Sequence, residues 1–449
     1  MTAYEKFEKQ FREKTKKSKE MFEEGRKYLP SGVAGSGRYM KPYPLYMEGA
    51  KGTRMVDVDG NEYIDFLLGS GPILLGHSPS VVVEAVKKQL EHGTEIISPT
   101  KASIELAKKI CQDMPGMERV SFVNSGSEGV HMAMRVARAY TGRPKVARIE
   151  GHYNGQFDNE FISAYVFAGP EERPEPCPGT LGMDKGCYEN IIILPFNNIE
   201  ATVSLIKEYA KELACVVMEP IASGATGSVP AEKSYMEALR KVTEEESILL
   251  IWDEVITGYR SSLAGAAPYF DGVIPDLRAM GKALGGGFPV GAYGGRKEVM
   301  DKVVRRELGM EKSAWQSGTF SGNIITMVAG LATITYLEEE NPYPRLNSMG
   351  ERIRNGWRKI TDSLGIKVDI AGIASQSRIA FIDRPVRNLR DYSKRDKVKE
   401  AAHTMGLLVN GIFALNPSHI FVSVAHSDED IDKFLEVSES VLKDIKTLG

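Results

Sequence analysis

Short apolar runs alternate with longer amphipathic stretches through the middle of the chain. The apolar runs predict β-strands at residues 120–123, 146–149, 191–194, 214–218 and 248–252. The amphipathic stretches predict helices at residues 126–140, 199–212 and 233–246. Apolar strands that alternate with helices favour a mostly parallel sheet covered on both faces. We therefore predict an α/β fold.

The two ends of the chain follow a different pattern. Residues 4–28 predict one amphipathic helix with an apolar face of Phe7, Phe11, Met21 and Phe22. After residue 330, helices are predicted at 345–364, 394–405 and 428–447, and strands at 367–370, 379–382 and 420–424. This pattern predicts a large domain over residues 71–330 and a smaller α+β domain built from residues 1–70 and 331–449.

Composition and charge narrow the classes of function. The 449 residues include 57 Lys and Arg against 60 Asp and Glu, a balance that does not favour nucleic-acid binding. The densest apolar run, residues 248–252, is too short to cross a bilayer. The four cysteines have no CxxC spacing and no HExxH occurs. We expect a cytoplasmic protein that binds neither metal, nucleic acid nor membrane.

Polar residues that could bind a ligand or take part in a reaction follow three of the predicted strands. Ser125, Gly126 and Ser127 lie where a strand meets a helix, so free amides and hydroxyls there could hold a phosphate. Asp253 ends a buried strand, and Glu219 ends the preceding one. These residues also have simpler interpretations, namely a helix N-cap with a turn glycine and solvated strand ends.

Lys282 lies in an apolar, glycine-rich stretch with no adjacent acid. A desolvated lysine loses its proton more easily and becomes a nucleophile toward aldehydes, although most lysines are simply at the surface. Arg38 could bind a carboxylate, and Tyr153 could stack on a ring. A phosphate cradle, a buried carboxylate and an activated lysine on one sheet together suit pyridoxal 5'-phosphate (PLP).

Several long motifs resemble the class III aminotransferases, which are PLP enzymes of fold type I. The motifs are GPILLGH (71–77), VNSGSEG (123–129), RVARAYTGRPK (135–145), IWDEVITGYR (251–260), PDLRAMGKALGGGFPVGAYGGR (275–296) and GTFSGN (318–323). The chain is most similar to the branch that contains glutamate-semialdehyde aminomutase and β-amino-acid aminotransferases. The resemblance implies a large domain with a mostly parallel central sheet and a smaller α+β domain.

The resemblance also implies a role for each candidate residue. Lys282 would form the Schiff base with the cofactor and carry the proton, and Asp253 would pair with the pyridinium nitrogen. The other implied contacts are Val255 and Tyr153 with the two ring faces, Ser125, Gly126 and Ser127 with the phosphate, Thr319 with the phosphate in the neighbouring subunit, Glu219 near the ring hydroxyl, and Arg38 with the substrate carboxylate. The active enzyme would be a homodimer with shared sites.

Departures from the aminomutase pattern bear on the reaction. The chain has Tyr153-Asn154-Gly155-Gln156 where the family usually has Tyr-His-Gly-His, and IASGATG (221–227) where the aminomutase has an Asn. It also lacks a Phe-Glu-Ala type stretch before residue 421. We therefore expect an aminotransferase that moves an amino group from a carboxylate-bearing α- or β-amino acid to a 2-oxo acid. The alternatives are glutamate-1-semialdehyde 2,1-aminomutase and a non-catalytic PLP-binding protein.

Overall fold

The computed structural model describes residues 1–415 and 419–448, so part of the segment before residue 421 lies outside the described residues. The helices are α1 (Ala3–Lys14), α2 (Lys16–Gly25), α3 (Ser80–Leu90), α4 (Lys101–Asp113), α5 (Gly126–Thr141), α6 (Ile199–Glu208), α7 (Lys233–Glu245), α8 (Lys297–Val303), α9 (Ile324–Glu340), α10 (Tyr343–Leu364), α11 (Leu389–Ser393), α12 (Lys397–Val409) and α13 (Asp428–Leu448). The strands are β1 (Met47–Lys51), β2 (Arg54–Asp57), β3 (Glu62–Asp65), β4 (Arg119–Val123), β5 (Lys145–Ile149), β6 (Ile191–Leu194), β7 (Leu213–Met218), β8 (Ile221–Ala222), β9 (Val229–Pro230), β10 (Leu249–Glu254), β11 (Leu277–Gly281), β12 (Gly291–Gly295), β13 (Asp369–Ala371), β14 (Gln376–Ala380), β15 (Ile412–Phe413) and β16 (Ile420–Phe421).

The chain divides into two compact units. The central unit comprises Ser80–Tyr343 together with Val386–Ser393, and the terminal unit comprises Met1–Pro79, Pro344–Pro385 and Lys394–Gly449. The sequence pattern placed the large domain at residues 71–330 and did not predict the return of Val386–Ser393 to the central unit.

The central unit is built on a seven-stranded sheet in the order β4-β12-β11-β10-β7-β5-β6. Neighbouring strands from β11 to β6 pair in parallel, whereas β12 runs antiparallel to both β11 and β4. The predicted α/β fold with a mostly parallel sheet is confirmed. Strands β11 and β12 were not predicted, because their sequences lack the dense apolar runs of the other strands.

Helix α5 shows how local sequence fixes this architecture. The Ser125 side chain caps its first turn by accepting a hydrogen bond from Glu128 N at 3.2 Å, and Gly142 ends it with φ 73°. Val130, Met134 and Ala137 lie on one face of the helix and are fully buried against the sheet. The helix therefore holds the end of β4 in a fixed place.

Helix α9 contacts α3 and α4 in the same unit. Most of its faces are apolar, and Met327, Ala329, Ile334 and Leu337 are buried. Along the described parts of the chain, no helix combines the length and apolar character needed to cross a bilayer.

The terminal unit contains a four-stranded sheet, β1-β2-β3-β15, and a three-stranded sheet, β13-β14-β16. The single helix predicted over residues 4–28 is wrong, because the backbone leaves helical geometry at Thr15 (φ −126°, ψ 47°) and separates α1 from α2. Phe7, Phe11 and Phe22 are buried as predicted, but Met21 is 43% exposed, because it lies next to Phe22 in the same helix and successive helical residues do not share a face.

Candidate active site

Five strands of the central sheet end at one edge with polar residues. Strands β4, β5, β7, β10 and β11 all run in the same direction. This includes β4, because the strand between β11 and β4, β12, is antiparallel to both of them. The residues that end or follow them are Ser125, Tyr153, Glu219, Asp253 and Lys282. Ligands bind at such carboxyl edges in open α/β sheets.

Lys282 directly follows β11 and has a positive φ of 46°, an uncommon conformation for a residue other than glycine. Its half-buried side chain has no hydrogen bond or ion pair with the residues that the structure describes. Burial lowers the pKa of Lys282 to about 8, although Glu219 and Asp253 act in the opposite direction. A substantial fraction of the amine is therefore neutral in mildly alkaline solution.

Asp253 is 5% exposed and is held by two donors. Its Oδ1 accepts from Val255 N at 3.0 Å, and its Oδ2 accepts from Asn154 Nδ2 at 2.9 Å. Burial raises the pKa of Asp253, while these hydrogen bonds and the nearby Lys282 and Arg148 favour the charged form. The carboxylate is thus oriented, buried and close to a cation.

Arg148 lies fully buried in β5 and is near enough to Asp253 to favour its charged form. Its Nη2 donates to Asn154 Oδ1 at 2.9 Å and to His152 O at 3.1 Å. Asn154 therefore links a buried guanidinium to the carboxylate of Asp253. Sequence analysis missed this link, although a charged residue inside the apolar run 146–149 was a signal for it.

Glu219 connects two loops at the same edge. Its Oε1 accepts from Tyr153 N at 2.8 Å, and its Oε2 accepts from Ser223 N at 3.0 Å and Gly224 N at 3.1 Å. Burial and the neighbouring Asp253 together raise the pKa of Glu219 to about 8, although the three amides act in the opposite direction. The Glu219 side chain is 3% exposed, so it is buried under the two loops whose amides it binds.

Residues 125–127, at the start of α5, are the candidate anion cradle. The first amides of a helix have no partner inside the helix and point outward. A Cβ at Gly126 would lie 2.6 Å from Val255 Cγ1, so only glycine fits at this position of the cradle. Ser127 Oγ accepts from Gln156 N at 3.2 Å, which ties the cradle to the loop after β5. The N-cap interpretation is confirmed, because the Ser125 side chain caps the helix, and phosphate binding by residues 125–127 stays a prediction.

Tyr153 belongs to a cluster of three rings. Its ring centroid lies 5.8 Å from that of Phe161 and 5.9 Å from that of Tyr165. On its other side, a Cβ at Gly224 would lie 2.4 Å from Tyr153 Cβ. No side chain therefore fits at position 224 while Tyr153 keeps its place.

Two predicted site residues are not among those at the sheet edge. Thr319 is exposed in a loop of the central unit, next to Gly318, where a Cβ would lie 3.3 Å from Asn124 Nδ2. Arg38 ends a short 3₁₀ helix, Ser36–Arg38, in the terminal unit. It is exposed and lines a cavity of about 640 Å³ with apolar residues of that unit.

The sheet edge has the chemistry that PLP needs. The cradle can accept a phosphate, the buried Asp253 carboxylate can face a protonated ring nitrogen, and Lys282 provides an amine of lowered pKa. The family model of class-III aminotransferases matches residues 36–442. The chain belongs to this family. This class-III protein is therefore an enzyme that uses PLP, and the resemblance of its motifs to the family is confirmed.

Named relatives cover nearly the whole class-III chain. A glutamate-1-semialdehyde 2,1-aminomutase of Persephonella marina is 39% identical over 438 residues, which are 96% of this chain and 100% of that protein. An omega-transaminase from Sphaerobacter thermophilus has a similar structure, with a TM-score of 0.90, 34% identity, and coverage of 95% of this chain and 97% of the other. A transaminase with PLP bound has a TM-score of 0.86 at 29% identity and covers 96% and 98% of the two chains.

Proposed function

We propose that this class-III enzyme is an aminotransferase that takes an amino group from a carboxylate-bearing amino acid and passes it to a 2-oxo acid. The observation that carries the proposal is the half-buried Lys282 amine, with its lowered pKa, beside Asp253 and Glu219. Bound PLP supplies an aldehyde that condenses with amines and a protonated ring that accepts electrons.

In this proposal the chain's own residues position and move protons. Lys282 Nζ takes a proton from the donor carbon as a neutral amine and later returns it to the acceptor carbon. The Asp253 carboxylate would face the ring nitrogen and favour its protonated form. Tyr153 and Val255 would cover the two ring faces, residues 125–127 would hold the phosphate, and Glu219 would lie near the ring hydroxyl.

The geometry of the loop after β7 supports the aminotransferase. Position 224 has no room for a side chain, because a Cβ there would collide with Tyr153 Cβ at 2.4 Å. The loop IASGATG (221–227), which lacks the Asn of the aminomutase, is thus closely packed against Tyr153. The Sphaerobacter omega-transaminase, with 34% identity, supports the same choice.

The names of the curated relatives favour the second candidate, glutamate-1-semialdehyde 2,1-aminomutase. Relatives with that name are 39% and 40% identical over 96% of this chain, so overall sequence similarity supports the aminomutase more directly than the aminotransferase. The two reactions share the proton transfer at Lys282. They differ in whether the aminated product leaves the site before the second half-reaction.

A paired assay separates the two candidates. The purified enzyme is given glutamate 1-semialdehyde alone and, separately, a panel of α- and β-amino acids followed by 2-oxoglutarate or pyruvate. We expect an amino acid to remove the visible absorption band of the bound cofactor and a 2-oxo acid to restore it. Formation of 5-aminolevulinate without a second substrate would establish the aminomutase instead. The Lys282→Ala variant should be slower by about 100- to 10,000-fold in either reaction.

We further propose that Arg38 holds the donor carboxylate. In the described ranges 1–415 and 419–448, its guanidinium makes no hydrogen bond or ion pair and is exposed. Arg38→Ala should raise KM for amino acids about tenfold, as expected for a lost charged hydrogen bond, and leave KM for simple amines unchanged. The KM of Arg38→Lys for amino acids should lie between those of the wild type and Arg38→Ala, since lysine keeps the charge but not the planar guanidinium.

We propose that the enzyme is a homodimer in which Thr319 reaches the phosphate in the neighbouring subunit. The exposure of Thr319 and of Phe320 (59%) supports this arrangement. Mixing a Lys282→Ala chain with a Thr319→Ala chain tests it. A shared site predicts activity in the mixed dimer that differs from the average of the parents.

A further inference from the structure

Glu254 is a buried acid that the proposed mechanism does not use. It is the last residue of β10 and directly follows Asp253. Successive side chains of a strand point to opposite faces of the sheet, so Glu254 and Asp253 lie on opposite faces. Glu254 is 0% exposed. A charged group is costly to bury unless it is paired, so the partners of Glu254 indicate what it does.

Both carboxylate oxygens of Glu254 have partners. Oε1 forms an ion pair with Nη1 of Arg278, whose side chain is 1% exposed. Oε2 accepts from Ala266 N at 2.7 Å and from Thr257 Oγ1 at 3.0 Å. A Cβ at Gly265 would lie 2.2 Å from Oε2, so the loop after β10 closes tightly over the carboxylate.

Arg278 extends this contact to a neighbouring strand and a further loop. It lies in β11, where its register partner in β10 is Trp252. Its Nε and Nη2 donate to Pro115 O at 3.2 and 2.9 Å, and its guanidinium lies over the Trp252 ring, 5.1 Å from the centroid. The ion pair of Glu254 with Arg278 therefore joins the end of β10, strand β11 and the loop before β4.

The same two strands carry the proposed catalytic groups. Asp253 is the register partner of Ala279 in β11, and Lys282 directly follows β11. The position of Asp253 relative to Lys282 thus depends on how the ends of β10 and β11 are held together. A buried ion pair adds little net stability compared with apolar side chains of the same shape, but its charged hydrogen bonds are directional.

We propose that Glu254 is a positioning residue that, through Arg278, fixes the Asp253 carboxylate in the place where it faces the nitrogen of the PLP ring. Glu254 acts from the opposite face of the sheet by holding the end of β10 against β11. This inference rests on the proposed function in that Asp253 pairs with the ring nitrogen.

The test compares PLP with its 1-deaza analogue, in which a C–H group replaces the ring nitrogen and the phosphate, aldehyde and hydroxyl groups remain. Equilibrium dialysis of the full-length protein gives the ratio of the two affinities for each variant. The wild type should favour PLP, because only PLP has a nitrogen for the Asp253 carboxylate. Glu254→Gln keeps the size of the side chain but removes the charge that holds Arg278, and it should lower this ratio about tenfold, the loss expected for a hydrogen bond to a charged group.

Asp276→Asn is the matched control. Asp276 is 4% exposed and joins the same two strands at the opposite edge of the sheet, since its Oδ2 accepts from Leu250 N and from Arg240 Nη1, both at 2.8 Å. This variant should also lose stability in urea unfolding, but its affinity ratio should match that of the wild type. A role in stability alone would give the same ratio in both variants.

Thr257→Val provides a milder change, because it keeps the shape of the side chain and removes one hydrogen bond to Glu254. It should lower the ratio less than Glu254→Gln does, and it gives the test if Glu254→Gln does not fold. Equal losses for PLP and the deaza analogue, or an unchanged ratio in these variants, would overturn the inference and leave the proposed function standing. A wild type that binds the two compounds equally would overturn the pairing of Asp253 with the ring nitrogen, on which both depend.

Discussion

Asn154 is the side chain on which the orientation of Asp253 depends most directly. Replacing it by alanine removes one donor from Asp253 and one acceptor from the buried Arg148. We expect Asn154→Ala to lower the free energy of unfolding by about 1–3 kcal/mol, the cost of buried polar groups left unpaired. Its affinity for PLP should fall as well.

Chemical denaturation and cofactor titration measure these two effects. Gln156→Ala is a suitable control, since that side chain is exposed on the same loop. Asn154→Asp should be at least as harmful, because it places a second carboxylate against Asp253. Wild-type stability and affinity in Asn154→Ala would show that the link to Arg148 is not needed.

Lys282 should make the stability of the cofactor-free chain depend on pH. Its pKa is about 8 in the folded protein and about 10.4 in an unfolded chain, so between these values the unfolded state binds more protons. Stability contributed by this residue therefore rises with pH from about 8 to about 10.4. Lys282→Met lacks this rise, so its stability relative to the wild type should decline over that interval.

Urea unfolding of both cofactor-free proteins at several pH values tests this prediction. The difference between them cancels the other titrating groups. A difference that stays constant with pH would mean that Lys282 keeps an ordinary pKa in the fold.

At the level of elements, the contact between the start of α5 and the end of β10 restricts one position to glycine. Gly126→Ala would place a Cβ 2.6 and 2.7 Å from the two Cγ atoms of Val255. Such overpacking should destabilise the protein by about 1–3 kcal/mol. Adding Val255→Ala should recover part of the loss in thermal denaturation, whereas Gly49→Ala, which meets no atom within 4 Å, should have little effect.

How far the sequence predicted the fold depended on the type of strand. The apolar runs at β5, β7 and β10 gave clear signals, because buried parallel strands are continuously hydrophobic. Strand β12 (Gly291–Gly295) was missed since glycine normally argues against a strand. Here it is required, because a Cβ at Gly291 would lie 1.9 Å from Ser125 O and one at Gly294 would lie 2.0 Å from Arg119 O.

The candidate site likewise contains residues that the sequence predicted and residues that it did not. Ser125, Glu219, Asp253 and Lys282 could be placed together from sequence, because parallel strands bring their carboxyl ends to one edge. Their roles toward PLP remain predictions. The contact of Asn154 with Asp253 could not be found in this way, since a polar residue in a loop gives no sign of where its side chain points.

At the level of the whole molecule, the returning segment Val386–Ser393 contributes a buried ion pair to the central unit. Arg390 binds Glu150 through Nε and Nη2 at 2.8 and 2.9 Å, with side chains 12% and 4% exposed. Arg390→Ala leaves the Glu150 carboxylate buried without its partner and should cost about 3 kcal/mol of unfolding free energy.

A neighbouring arginine provides the matched control for this prediction. The ion pair of Arg387 with Glu232 is 57% and 42% exposed, so Arg387→Ala should cost no more than about 1 kcal/mol. Denaturant unfolding of both variants gives the comparison. Equal losses would show that the returning segment stabilises the unit through its backbone and not through Arg390.

The Glu219 carboxylate holds its two loops through hydrogen bonds from three main-chain amides. The anchoring therefore does not depend on which side chains those loops carry, provided that position 224 remains glycine. Directed evolution could thus vary other side chains of these loops to admit new amines, with Tyr153 kept for the cofactor ring, while the loops stay tethered. Changing Glu219 itself would release both at once.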